Sequence, residues 1–210
     1  RTPLQALTVS ASLLDRIGPL TGAQLRAVAR VTSRVQHLQR ILWDLLDFTR
    51  ERLGGGLPVE RRTIDVFALV LGLVDDYRAA WPERELHCFC EGDGHGSFDP
   101  DRVLQLLTNL LNNALTWGDP DAPIELLAQQ EGTSIRIRVT NRGATIPPEL
   151  MDRLFVPFAA SRPAPGGSRH RGLGLGLFIA RQIASAHGGT LTARSENGAT
   201  EFTAVLPTRG

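Results

Sequence analysis

Asn109 and Asn113 stand four residues apart in the run Asn109-Leu110-Leu111-Asn112-Asn113-Ala114. On a helix, that spacing puts both amides on one face, while Leu106, Leu107, Leu110 and Leu111 supply the buried side. Two amide oxygens together suit a hard cation or a phosphate; a pair of plain surface asparagines is the alternative. Further on, Gly172-Leu173-Gly174-Leu175-Gly176-Leu177 opens onto a helical run at Leu177–Ala186. Backbone N–H groups at such a helix N-terminus can face a polyphosphate. The spacing is G-x-G-x-G, not the dinucleotide G-x-G-x-x-G, and no strand immediately precedes it. A Rossmann reading therefore fails.

Two more stretches belong with these. Asn141-Arg142-Gly143-Ala144-Thr145-Ile146-Pro147 follows a strand-like run, Ser134–Val139. A polar residue at a strand end, followed by glycine and a proline turn, can hydrogen-bond a base edge at a loop mouth, or be an ordinary turn. Leu154-Phe155-Val156-Pro157-Phe158 is apolar and aromatic. After it, Ala160–Arg171 is rich in Pro, Gly, Ser and Arg, and reads as a flexible lid whose Arg162, Arg169 and Arg171 offer cations for phosphates.

The composition narrows the chemistry. All 23 basic residues are Arg; the 210-residue chain has no Lys. That excludes Schiff-base nucleophiles, pyridoxal attachment and the lysine-bearing Walker loop. A net charge of +1 argues against a general nucleic-acid binder. No apolar run approaches the roughly 18–20 residues that cross a bilayer, and no signal-peptide pattern opens the chain. Cys88 and Cys90 form a C-x-C on a strand-like run, so both face one side and read as buried structural thiols rather than zinc ligands. Reduced thiols fit a cytoplasmic protein.

What positions these residues is two unlike segments. Residues 1–54 carry 8 Arg against 4 acids (net +4), and 55–210 carry 15 Arg against 18 acids (net −3). The change falls at Gly54-Gly55-Gly56-Leu57-Pro58, which reads as a linker. The expected division is a helical hairpin over 1–53, a linker over 54–58, and a second domain over 59–210. In the hairpin, Val28, Val31, Val35, Leu38, Leu42 and Leu45 alternate three and four apart, a heptad seam along a helix from Thr21 to Arg52. Leu4, Leu7, Leu14 and Ile17 are spaced for a helix before the turn at Gly18–Gly22, with Thr21 as N-cap of the long helix. One hairpin exposes too much apolar surface to stand alone, so self-association into a four-helix bundle is expected.

The second domain reads as α+β. Strands are expected at Arg61–Ile64, Glu85–Cys90, Ile124–Ala128, Ser134–Val139, Thr190–Arg194 and Glu201–Leu206. Helices are expected at Val66–Trp81, Asp99–Trp117 (with Asp99 able to cap), Pro148–Leu154 and Leu173–His187. Without regular βαβ periodicity, a mixed sheet with helices on one face is favoured over a doubly wound fold.

Taken in order, these motifs resemble the sensor histidine kinases of two-component systems over essentially the full chain. Arg1-Thr2-Pro3-Leu4 is similar to the tail of that family's His box, His-Glu-x-Arg-Thr-Pro-Leu. Asn109–Ala114 resembles the N box, Val139–Pro148 the first glycine box, Leu154–Phe158 the F box, and Gly172–Leu177 the second glycine box. His187-Gly188-Gly189, Gly198–Phe202 and Leu206-Pro207 resemble the closing strand pair.

The resemblance implies a dimeric histidine-phosphotransfer hairpin joined to a Bergerat (GHKL) ATP-binding domain. ATP and Mg²⁺ are then the cofactors. Asn113 is the implied Mg²⁺ ligand, and Asn109 assists at the phosphates. Asn141 meets the adenine amine, and Gly143 lets the backbone approach the base. Gly172, Gly174 and Gly176 line the triphosphate, and Ile146, Phe158, Leu173 and Leu175 line the same site. Thr2 matches a position used in phosphatase activity. The implied partners are a second copy through residues 1–53, a response-regulator receiver domain and an upstream sensor module, with no nucleic acid and no membrane contact by this segment.

Three departures stand out. The acceptor His falls three residues before Arg1. Asn141 and Thr145 replace an Asp and a Gly of the first glycine box, and Thr116 stands where the N box usually carries Lys. The leading expectation is an ATP-dependent protein-histidine kinase core. The departures motivate a second reading, a degenerate kinase serving as a nucleotide-binding dimeric scaffold or response-regulator phosphatase.

Overall fold

A computed structural model of the protein describes residues 21–159 and 173–209. The first hairpin helix, Thr2, the lid arginines Arg162, Arg169 and Arg171, and Gly172 lie outside those residues. The chain divides into two compact units, Arg1–Thr49 and Arg50–Gly210.

In the first unit the described structure is one long helix, α1 (Gly22–Arg52). Thr21 begins it as a capping box: the Thr21 Oγ1 accepts from the Gln24 N–H at 3.4 Å, and the Gln24 Oε1 accepts from the Thr21 N–H at 2.9 Å. Of the seam residues, Val35 is buried and Val28 half-buried, while Val31, Leu38, Leu42 and Leu45 are exposed.

The second unit runs β1 (Arg62–Asp65), α2 (Val66–Ala80), β2 (Leu86–Glu91), β3 (His95–Phe98), α3 (Pro100–Trp117), β4 (Ile124–Glu131), β5 (Ser134–Arg142), α4 (Pro148–Met151), α5 (Gly176–Ala186), β6 (Thr190–Glu196) and β7 (Ala199–Pro207). The main sheet is mixed, in the order β2-β4-β5-β7-β6; β2 pairs parallel to β4 and every other pair is antiparallel. Its strands alternate. Leu126, Ile137, Val139, Phe202 and Ala204 are buried on one face, whereas Arg136, Arg138 and Glu201 sit half-buried on the other. Period-2 apolar strands need a cover on one side only, and α2, α3 and α5 supply it with their own apolar stripes.

The structure corrects the sequence reading in four places. A short strand, β3, was not expected; it pairs antiparallel with β1 in a separate two-stranded ribbon. The helix expected from Leu173 starts at Gly176, because Gly174 takes a left-handed φ of 72° that no right-handed turn can contain. The helix expected over Pro148–Leu154 is confined to Pro148–Met151. Cys88 and Cys90 are half-buried instead of buried, because β2 lies at the edge of the sheet.

Candidate nucleotide site

Helix α3 carries the two asparagines. Asp99 starts it, accepting from the Asp101 and Arg102 N–H groups at 3.0 and 3.1 Å, and Pro100 presets the first turn. Val103, Leu106, Leu107, Leu110, Leu111 and Ala114 are buried along one stripe. That stripe turns Asn109 and Asn113 to its margin, where both are half-buried. Asn112 is used structurally: its Oδ1 accepts from the Tyr77 hydroxyl at 2.9 Å.

Asn109 meets the start of α5. A Cβ built on Gly176 would come within 3.3 Å of Asn109 Oδ1, so the glycine lets helix and amide approach. Among the described residues Asn109 Nδ2 is buried with no hydrogen-bond partner. On the far side of Gly176, Gly174 O accepts from the Phe158 N–H at 3.1 Å, tying the aromatic segment to the glycine turn. Phe158 itself stands at φ 61°, half exposed, and the Arg181 guanidinium lies 5.2 Å over the Phe155 ring.

Asn141 sits where β5 runs beneath the end of α3. It is 4% exposed; its Nδ2 donates to Arg142 O at 3.2 Å, and its buried Oδ1 has no partner among the described residues. Gly118 closes α3 against it, since a Cβ there would collide with Ala114 O and lie 3.3 Å from Asn141 Cβ. Gly143 is also tight, since a Cβ there would lie 2.9 Å from Trp117 O. The loop is held to the β6–β7 turn. Gly143 N–H donates to Gly198 O (2.9 Å), Gly198 N–H to Thr145 Oγ1 (3.1 Å), and Ile146 N–H to Ser195 Oγ (2.9 Å). Thr145 therefore anchors the loop, where a glycine could not.

The sequence-derived residues fall on three neighbouring junctions: Asn109 against Gly176, Gly174 against Phe158, and Asn141 and Gly143 against the end of α3. Asn113 lies about one turn along α3 from Asn109, between the first junction and the last. Leu175 is buried beneath the turn, and Leu173 is exposed. Thr116, at the expected Lys position, donates back to Asn112 O at 2.7 Å. Sequence reasoning missed Gly118 and Ser195, whose roles appear only once β5 lies against α3 and the β6–β7 hairpin. A cavity of about 520 Å³, lined by residues including Thr63, Asp93, His95 and Thr208, contains none of the motif residues, and the unpaired amides mark the site better than that concavity.

Chemically, the junctions offer a buried acceptor at Asn141, a buried donor at Asn109, a carboxamide at Asn113 and a helix N-terminus. Those groups suit an amine-bearing base at one end and an anion with a hard cation at the other. Among the described residues no cluster of three or more His, Cys, Asp or Glu could hold a metal. A cation here would rest on amide and phosphate oxygens.

Comparison with known proteins gives the family and the fold. Residues 98–210 match the family described as "Histidine kinase-, DNA gyrase B-, and HSP90-like ATPase". The chain is 33% identical to a probable sensor histidine kinase, TcrY, of Mycobacterium tuberculosis, covering 100% of this chain and 44% of that protein. It is 30% identical to the sensor protein VanSC of Enterococcus gallinarum, covering 99% of this chain and 57% of that one. The chain thus spans about half the length of these relatives. Histidine kinase ThkA, solved in complex with response regulator protein TrrA, shares the fold with a TM-score of 0.64 at 20% identity, over 98% of this chain and 58% of that one.

Proposed function

This chain belongs to the histidine kinase-, DNA gyrase B- and HSP90-like ATPases, with the α+β GHKL fold of a mixed sheet and helices, and we propose that it is the catalytic core of a sensor histidine kinase. In this reading it binds Mg-ATP, phosphorylates a histidine N-terminal to Arg1, and passes the phosphoryl group to an aspartate of a response regulator. The observation that carries the reading is the pair of orphaned amides. Burying an unpaired polar atom costs about 1–3 kcal/mol. Such a cost is tolerated where a ligand removes it. Among the described residues the buried atoms without a hydrogen-bond partner are guanidinium nitrogens of Arg61, Arg84 and Arg138 and two amide atoms, Asn109 Nδ2 and Asn141 Oδ1, and both amides belong to motif residues.

The residues fit the nucleotide. The adenine exocyclic amine would donate to Asn141 Oδ1, with Gly143, Ile146, Phe158, Leu173 and Leu175 around it. Asn109 Nδ2 would donate to a phosphate oxygen, and the glycines of the turn would leave N–H groups open to the rest. Asn113 would give its carboxamide oxygen to Mg²⁺, which neutralises phosphate charge. With Thr116 occupied by its own helix, the cations for the triphosphate fall to Arg162, Arg169 and Arg171. In-line transfer needs positioning and neutralised charge more than covalent chemistry from the protein.

The exposed apolar residues of α1, Leu38, Leu42 and Leu45, support dimerization through residues 1–53 as a four-helix bundle. Thr2 would serve the reverse reaction on the regulator. No described helix is long and apolar enough to cross a membrane, and free Cys88 and Cys90 support placing this segment in the cytoplasm. Relatives described as sensor histidine kinases favour this reading over the nucleotide-binding scaffold.

The test uses a chain extended N-terminally to include the acceptor, incubated with Mg²⁺ and γ-labelled ATP. Acid-labile, alkali-stable label that disappears in Asn113→Ala is the expected result. Absence of nucleotide binding would overturn the assignment of Asn109, Asn113, Asn141 and the glycines.

A further inference from the structure

His187 is fully buried at the C-terminus of α5, at the opposite end of that helix from Gly176. Its Nδ1 faces Ile183 O at 2.8 Å, and its Nε2 faces the Asp99 N–H at 3.1 Å. The second partner can only donate, so Nε2 is the acceptor and Nδ1 carries the proton; the ring is the neutral Nδ1–H tautomer. Desolvation holds its pKa below the ordinary value, in keeping with that state.

Asp99 is also the N-cap of α3, and its Oδ2 accepts from the Glu60 N–H at 2.8 Å. Arg61 Nη2 donates to Ala186 O at 3.2 Å at the same node. One imidazole thus joins the last turn of α5 to the first of α3, where the chain entering the domain is also tied down.

The two helices run antiparallel. At one end His187 meets Asp99; at the other Gly176 meets Asn109. Ten positions separate Asp99 from Asn109 and eleven separate Gly176 from His187, about 15 and 16.5 Å at a helical rise of 1.5 Å. The contacts are spaced alike along both helices. Between them the buried residues are apolar: Val103, Leu106 and Leu107 on α3, and Ile179, Ala180 and Ile183 on α5. Apolar packing is non-directional, whereas a buried bond to a backbone N–H fixes one position.

We propose that His187 is a positioning residue for the nucleotide site, setting the register of α5 against α3 so that Gly176 and its preceding turn stay against Asn109. This rests on the nucleotide reading above for its consequence, though not for its geometry.

The test compares three variants of the chain with wild type. His187→Phe fills the space and loses both bonds. His187→Gln can present its amide oxygen to the Asp99 N–H. Val74→Ala, on the buried face of α2, serves as a control for lost stability alone. Hydrogen exchange is followed at residues 176–180, and Mg-ADP binding is titrated below each variant's melting point.

In His187→Phe, exchange at residues 176–180 should quicken by about tenfold or more, and Kd for Mg-ADP should rise about tenfold. His187→Gln should recover most of both, and Val74→Ala should show neither. If faster exchange in His187→Phe stays within residues 184–189 and Kd moves less than about twofold, His187 caps a turn and positions nothing. If wild type binds no Mg-ADP, the nucleotide reading fails, while exchange at residues 176–180 still decides whether His187 sets the register.

Discussion

Asn109 Oδ1 occupies the space beside Gly176 where a side chain would otherwise begin, 3.3 Å from an ideal Cβ. The first residue of α5 is glycine because an amide from α3 stands against it. Gly176→Ala should therefore split two properties that usually move together. Alanine favours helix by up to about 1 kcal/mol, so the melting temperature should hold or rise slightly. The methyl group displaces Asn109 by a few tenths of an ångström, and Mg-ADP affinity should fall about three- to tenfold. Calorimetric titration beside a thermal melt checks both, and unchanged affinity would detach Asn109 from the phosphates.

Along α1, Leu42 is 47% exposed while Val35 is buried. A charge at each should act differently. Leu42→Glu should leave helicity intact and shift sedimentation from dimer toward monomer, since its cost appears only when the apolar surface is covered. Val35→Glu should lower helicity as well, by burying an unpaired carboxylate. A dimer indifferent to Leu42→Glu would place the interface elsewhere.

Much of this architecture is legible in the sequence because it is written locally. Asp99-Pro100 followed by leucines at helical spacing announces α3, and the alternation in Ser134–Val139 announces β5. Asn109 and Asn113 are legible for the same reason, being spaced on one helix. What escapes is set by partners far along the chain. His95-Gly96-Ser97-Phe98 carries no strand pattern and becomes β3 only by pairing with Arg62–Asp65. His187 reads as an ordinary turn residue, because the N–H it accepts from lies 88 positions away. Cys88 and Cys90 show the correct face but not the depth, which depends on β2 being an edge strand.

Those thiols should be unreactive despite being half-buried. Desolvation pushes Cys88 above its ordinary pKa, and desolvation together with the neighbouring Cys88 pushes Cys90 up to about 12. The thiolate is the nucleophile, so alkylation of Cys90 near neutral pH should run at least about a hundredfold slower than for a free thiol, and that of Cys88 should be slowed as well. Mass spectrometry after iodoacetamide treatment, native against denatured, gives the ratio. Rapid native labelling would mean that the edge strand opens.

His187 also predicts a pH dependence with a definite sign. Burial, with the Arg61 charge adding to it, lowers its pKa from 6.5. Asp99 and the Ile183 carbonyl oppose that shift without cancelling it. Below 6.5 the unfolded chain takes up a proton that the folded chain refuses. Stability is therefore full above that value, is lost as pH falls toward the folded pKa, and levels off beneath it. The slope is at most about 1.4 kcal/mol per pH unit. His95 acts in the opposite sense: Asp93 raises its pKa, so its contribution is present at low pH and fades as pH rises. The diagnostic is a difference between proteins. Melting temperature should fall further from about pH 7 to about pH 5 in wild type than in His187→Gln. Parallel curves would remove His187 as the titrating group.

Asn141→Asp puts a carboxylate where the amide now splits its duties, Nδ2 on Arg142 O and Oδ1 unpaired. Without ligand the change is unfavourable twice over. The bond to Arg142 O is lost, and a charge replaces a neutral group at a site only 4% exposed. The melting temperature should drop by an amount corresponding to about 1–3 kcal/mol. With ligand the balance reverses, because a carboxylate accepts from an adenine amine in a charge-assisted bond worth roughly 1 kcal/mol more than the amide's. Affinity for Mg-ADP should then rise about fivefold while the free protein weakens. Opposite signs in one substitution are hard to obtain by general loosening of the fold. A parallel fall in both quantities, seen by titration and thermal melt, would mean that the orphaned oxygen of Asn141 does not meet the base.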